Sequence, residues 1–164
     1  MRGKRVMAFV SLGLAATLSG RANAQVVQQN FQSEFRLDAI FARSSAVEAA
    51  YGFTVPAGIY VRSGLVAGIG AGRHGVEGRS DLIARFSFDP FRQSRWAPYA
   101  GAGLSGRYHS TLDGGSRGYL LVFLGVEGPL PLGERGGWVP GVEAGLGGGA
   151  RVGVMLRRGI NARR

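Results

Sequence analysis

The chain has 164 residues, a formal net charge of +10, 29 glycines and no cysteine. The missing thiols exclude disulfides, thiolate metal sites and cysteine nucleophiles, so burial and hydrogen bonding alone must hold the fold. The positive charge does not point to nucleic acid. Of the 20 basic residues, Arg2, Lys4, Arg5 and Arg21 lie near the N-terminus, leaving 16 arginines, spread along the chain without a nucleic-acid motif, against 10 acids.

The N-terminus has the three parts of a secretory signal peptide. Arg2, Lys4 and Arg5 form a positive region, an apolar run from Val6 to Leu18 follows, and Ala22-Asn23-Ala24 offers a small-x-small cleavage site. The apolar run is too short to span a bilayer, which takes about 20 residues. Residues 1–24 are therefore expected to be the signal, and residues 25–164 one domain. No later stretch is long and apolar enough for a transmembrane helix.

Eight segments of alternating polarity follow. A period of two marks a strand with two unlike faces. The first is expected over Glu34–Arg43, with Phe35, Leu37, Ala39 and Phe41 on one face and Arg36 and Asp38 on the other. Ser44-Ser45 leads to a second, Ala46–Val55, in which every odd position from Val47 is apolar. Pro56-Ala57-Gly58 reads as a turn, and the third strand as Ile59–Gly70. A polar loop is expected over Ala71–Arg79, then a fourth strand, Ser80–Asp89, with Leu82, Ala84, Phe86 and Phe88 opposite Asp81 and Arg85. The turn Pro90–Arg95 precedes a fifth, Trp96–Tyr108, and His109–Ser116 reads as a second polar loop. The sixth, Arg117–Glu127, is apolar on both faces, which leaves its register open. The seventh, Trp138–Leu146, and the eighth, Ala150–Arg158, each carry an aliphatic face.

Alternation does not say which face is inside. Four features favour a membrane barrel, with the aliphatic face toward lipid and the charged face toward the lumen. The aliphatic faces carry no charge at mid-strand. The other faces hold sparse, sign-balanced charges among small residues, and the arginine fork suits confined pairing. Phe53, Phe88, Phe91, Trp96 and Trp138 gather beside the turns at one end, as an interfacial girdle would. Strands near ten residues match the 9–11 or so that a tilted membrane strand needs.

The Gly-rich strand Pro98-Tyr99-Ala100-Gly101-Ala102-Gly103-Leu104, the even meander and the export signal resemble the small eight-stranded outer-membrane β-barrel proteins. The resemblance covers nearly all of residues 25–164 and implies an all-β fold: an eight-stranded antiparallel up-and-down transmembrane barrel in the bacterial outer membrane. Its termini and the turns at Pro56–Gly58 and Pro90–Arg95 would face the periplasm.

Candidate chemistry is thin. The lumen charges Arg36, Asp38, Glu48, Arg62, Asp81, Arg85, Arg107, Glu143, Arg151 and Arg157 are expected to form a structural network, since eight strands enclose barely more than their own side chains. The expected loops near Ala71–Arg79 and His109–Ser116 would face outward, and Arg73, Arg79 and Arg117, the last at the start of the sixth strand, are candidates for lipopolysaccharide phosphates. Some barrels of this resemblance act on lipopolysaccharide through a His-x-Ser pair. Here His109 is followed directly by Ser110, which puts the two on opposite faces, and Thr111, with Asp113 or Glu127 as the acid, is an unusual substitute. His74 lacks companion ligands for a metal. Gly101–Gly106 fits a Gly-x-Gly-x-x-Gly pattern, but no helix follows to receive a phosphate. The expectation is a monomeric, non-enzymatic surface or envelope-integrity protein with no cofactor, in contact with outer-membrane lipid and lipopolysaccharide. Two alternatives are a soluble exported barrel binding a small apolar ligand and an outer-membrane lipid hydrolase using His109.

Overall fold

Along the described strands, side chains alternate between an inward and an outward face, and the charged ones fall almost wholly on the inward face. The computed structural model describes residues 31–42, 45–73, 75–91, 93–110, 115–128 and 137–159. The expected signal peptide, 1–24, lies outside them, as do His74, Thr111 and Asp113. The strands are β1 (Gln32–Phe41), β2 (Ala46–Pro56), β3 (Val61–Gly72), β4 (Gly75–Ser87), β5 (Ala97–His109), β6 (Ser116–Glu127), β7 (Trp138–Leu146) and β8 (Ala150–Gly159). Each pairs antiparallel with its chain neighbours, and β8 pairs back onto β1 with Leu37 opposite Val154. The sheet is thus a closed up-and-down barrel with no free edge strand, and no helix occurs among the described residues.

The outward face is apolar. Leu37, Val47, Leu65, Ile69, Leu82, Leu104, Leu120, Leu124 and Val154 are all exposed, Leu120 at 73%. Aromatic side chains ring the end that carries the termini and the β2–β3, β4–β5 and β6–β7 connections. There Phe88, Phe91, Trp96 and Trp138 are exposed, Tyr60 stacks on Phe86 at 5.7 Å, and Phe86 meets Phe88 at 5.5 Å. The soluble alternative needed the aliphatic face inside. The closed barrel has it outside.

The interior can hold large side chains because many inward positions are glycine. At Gly70 a Cβ would lie 2.7 Å from Glu48 Cγ; at Gly153 it would strike Asp38, and at Gly125 the Tyr99 hydroxyl. Each glycine thus leaves space that a neighbouring strand's longer side chain fills. The β7–β8 turn needs glycine for another reason: Gly148 has φ +71°, a left-handed conformation that costs other residues dearly.

Four expectations are corrected. Ala71–Arg79 is not a loop: β3 runs to Gly72, pairing opposite Gly75, so only residues 73–74 connect it to β4. Gly75 (φ +110°) begins β4 directly after that connection. Arg79 consequently lies within β4 on the buried face, not in an outer loop. The third strand starts at Val61, leaving Ile59 and Tyr60 in the turn, while β1 starts at Gln32 and ends at Phe41. The open register of the sixth strand resolves as Leu121, Phe123 and Glu127 inward, Leu120, Val122 and Leu124 outward.

The Gly153→Ala change is expected to lower unfolding free energy by roughly 1–3 kcal/mol through overpacking against Asp38. A Gly118→Ala change, with nothing within 4 Å of the added carbon, should be close to neutral. Urea titration of both variants followed by heat-shifted electrophoretic mobility checks the contrast.

Candidate functional site

Odd or even parity within each strand decides which charges share the interior. Glu34, Arg36 and Asp38 alternate along β1, Glu77, Arg79, Asp81 and Arg85 along β4, and Arg151 and Arg157 along β8. All are buried. Among the described residues 13 charged side chains are buried, seven acids and six arginines. An ion enclosed this way is stable only when paired and hydrogen-bonded, so the contacts decide whether the interior can exist.

The contacts form one chain of alternating sign from mouth to mouth. At the terminal end Arg157 pairs with Glu127 and, at 3.0 Å, with Glu34. Glu34 also accepts from Arg85 at 3.2 Å and Arg36 at 3.3 Å. Arg36 donates to Glu143 at 2.5 Å and to Asp38 at 3.3 Å. At mid-barrel Arg79 meets Asp38 at 2.5 Å, Asp81 at 3.3 Å and Glu48 at 3.4 Å. Arg151 bridges Asp81 at 2.8 Å and Glu143 at 3.1 Å. Toward the other mouth Arg107 joins Glu48 at 3.5 Å and Glu77 at 2.7 Å.

Neutral groups complete the shell. The Tyr99 hydroxyl donates to Glu143 at 3.0 Å and the Ser105 hydroxyl to Asp81 at 2.6 Å. The Arg85 guanidinium lies 4.8 Å from the centre of the Tyr99 ring, a cation–π contact strengthened by burial. Beside this polar column sits an apolar one, in which Ala50, Val66, Ile83, Leu121, Phe123 and Met155 pack with Tyr99.

Of the ten charges assigned to the lumen from sequence, nine are buried there. Arg62 is half-buried at the rim, where its Nε donates to Thr54 Oγ1 at 3.2 Å. The structure adds Glu34, Glu77, Arg79, Glu127 and Tyr99. Glu77 and Arg79 share the parity of Asp81 and Arg85, a signal that could have been read through the glycines around them. Of the three arginines proposed for lipopolysaccharide, Arg73 is exposed in the β3–β4 connection, Arg117 is exposed at the start of β6 opposite Arg107, and Arg79 belongs to the interior.

The hydrolase constellation is not assembled among the described residues. His109 turns inward with Nδ1 3.4 Å from Glu77 Oε2. Ser110 leads away, its backbone N–H bonded to the Val76 carbonyl at 3.1 Å. No group of His, Cys, Asp and Glu among the described residues is arranged to hold a metal ion.

No protein-family model and no curated protein matches the chain. Solved structures do. The N-terminal β-barrel domain of OprF from Pseudomonas aeruginosa aligns at 13% identity and a TM-score of 0.64, covering 81% of this chain and 98% of that domain. OprG from the same organism aligns at 11% identity and 0.56, covering 82% and 97%. Neisserial surface protein A aligns at 15% identity and 0.50, covering 79% and 93%. These likenesses define the class: the chain has the fold of the small eight-stranded outer-membrane β-barrels.

Glu34 takes contacts from three arginines, so its loss should cost more than that of any peripheral charge. Glu34→Gln is expected to destabilise the barrel by about 3–5 kcal/mol, the penalty for stranding buried charge. Arg117→Gln, at an exposed position, should stay within about 0.5 kcal/mol. Equilibrium unfolding in detergent separates the two.

Proposed function

We propose that this protein is exported to the bacterial outer membrane, sits there as a monomeric barrel with a side-chain-filled lumen, and serves the envelope as a non-enzymatic structural or surface component. One observation carries the reading: charge is enclosed and paired while a continuous apolar surface is exposed. Water would penalise that surface, and a bilayer would solvate it. Closure supports the same conclusion, because every strand has a partner on both sides and hydrocarbon tolerates no open edge.

The filled interior argues against solute passage as the main role. Glycine positions are taken up by neighbouring side chains, and the cavity at the terminal mouth, lined by Arg62, Arg85, Tyr99 and Glu127, measures about 100 Å³. That is well below the roughly 300 Å³ at which small-molecule pockets begin. With the termini in the periplasm, the exposed Arg73 and Arg117 lie toward the outer end of the barrel, and their charge supports a contact with lipopolysaccharide phosphates.

Four results are expected. The protein from washed membranes should change electrophoretic mobility on boiling and require detergent for extraction; recovery in soluble periplasm would overturn the proposal. Leu104→Arg, an outward change at mid-strand, should cost about 2–4 kcal/mol in vesicles. In planar bilayers the wild-type barrel should show little conductance, and replacing Arg73 and Arg117 together should weaken its association with lipopolysaccharide; stable large channels or unchanged association would remove the corresponding part of the reading.

A further inference from the structure

The outer wall is not uniformly bulky. Across β7, β8 and β1 the register sets Pro140, Leu156 and Phe35 in one outward row and Val142, Val154 and Leu37 in the next. These six side chains line a groove of about 480 Å³ on the outside of the barrel. Trp96 forms a further wall. It reaches it from the start of β5 across Gly128, where an added Cβ would lie 3.2 Å from both the indole and Pro140.

The groove ends on a cation. Arg158 follows Leu156 on the same outward face of β8, and Trp138 and Ser33 flank it in register. The Arg158 guanidinium lies 5.9 Å from the Trp138 ring centre, and the Trp138 ring packs 5.6 Å from that of Phe35. No acid stands on the outer face of β7, β8 or β1 among the described residues: Glu34, Asp38 and Glu143 all point inward. Arg158 therefore offers positive charge outward, at the level of the aromatic girdle, where lipid headgroups meet hydrocarbon.

An apolar channel along the wall that terminates in a guanidinium, with no acid beside it on the outer face of these strands among the described residues, has the shape and polarity of an amphiphile bound side-on. We propose that this groove binds one anionic phospholipid, an acyl chain lying along Leu156 and Val154 and the headgroup phosphate held by Arg158. The inference rests on the membrane reading and deepens it: a particular lipid, held at a particular wall of the barrel, on the side of the termini. Arginine suits the task because its fork matches phosphate oxygens while its stem lies along apolar surface.

The test is native mass spectrometry of the full barrel extracted from membranes in non-ionic detergent, with phosphatidylglycerol and phosphatidylcholine of identical chains added in competition. One phosphatidylglycerol per barrel should be retained with a preference of roughly five- to tenfold, the scale of one charge-assisted contact. Arg158→Gln should abolish the headgroup preference, and Val154→Trp, which fills the groove from the lipid side, should reduce retention of both lipids. The mobility shift on boiling verifies that each variant is folded. Equal retention of the two lipids by the wild type, a preference unchanged in Arg158→Gln, retention unchanged in Val154→Trp, or a barrel dimer in place of bound lipid would overturn the site. Extraction without detergent would instead overturn the membrane reading itself, and the two failures are read in separate steps.

Discussion

Everything in this structure depends on pairing charge inside a closed wall. Seven acids and six arginines are buried in the barrel, and the energy of separating any one from its partners exceeds that of most single packing contacts. The pairs run between strands far apart in sequence: Arg36 of β1 meets Glu143 of β7, Arg79 of β4 meets Asp38 of β1, and Arg157 of β8 meets Glu34. Each pair is satisfied only when the strands stand in one stagger, so the network specifies register as well as contributing stability. A purely apolar interior would pack in many registers; this one does not.

Glycine makes that network sterically possible. A closed sheet of eight strands leaves little room, yet arginine and glutamate are long. Several carboxylates lie over a neighbouring strand that lacks a side chain there, as Glu34 does over Gly52, Glu48 over Gly70 and Asp38 over Gly153. The abundance of glycine and the burial of charge are therefore one design seen from two sides. Most of the large apolar residues, freed from forming the main core, are left to the outer face, apart from the cluster around Leu121 and Phe123 and a few others such as Ile40 and Val139.

The strands themselves were legible because hydrophobic alternation records them directly, and Val47–Val55 reads almost without error against β2. The sense of the barrel was legible too, since balanced charges opposite bare aliphatics fit a lumen better than a solvated face. What misled was the polar stretch after β3. Arg73, His74 and Glu77 among glycines look like a loop, and so they hid the start of β4 and placed Arg79 outside. Only Gly75 there has a positive φ; Gly72 and Gly78 are strand positions. The partners were not legible at all. Which arginine meets which acid depends on the stagger of nonadjacent strands, and Glu34 carries no local mark that it will be shared by Arg36, Arg85 and Arg157.

The seam between β1 and β8 has a consequence for the order of assembly. Glu34 and Arg157 are separated by 123 positions, and Arg36 and Glu143 by 107. Until the last strand returns to the first, these groups lack those partners, and an open sheet entering hydrocarbon would carry incompletely paired ions across it. Stepwise insertion, one hairpin at a time, would thus climb an electrostatic barrier that only ring closure removes. The chain is built to cross the membrane as a finished ring, or in the shelter of something that supplies water or counter-charge until the ring is shut.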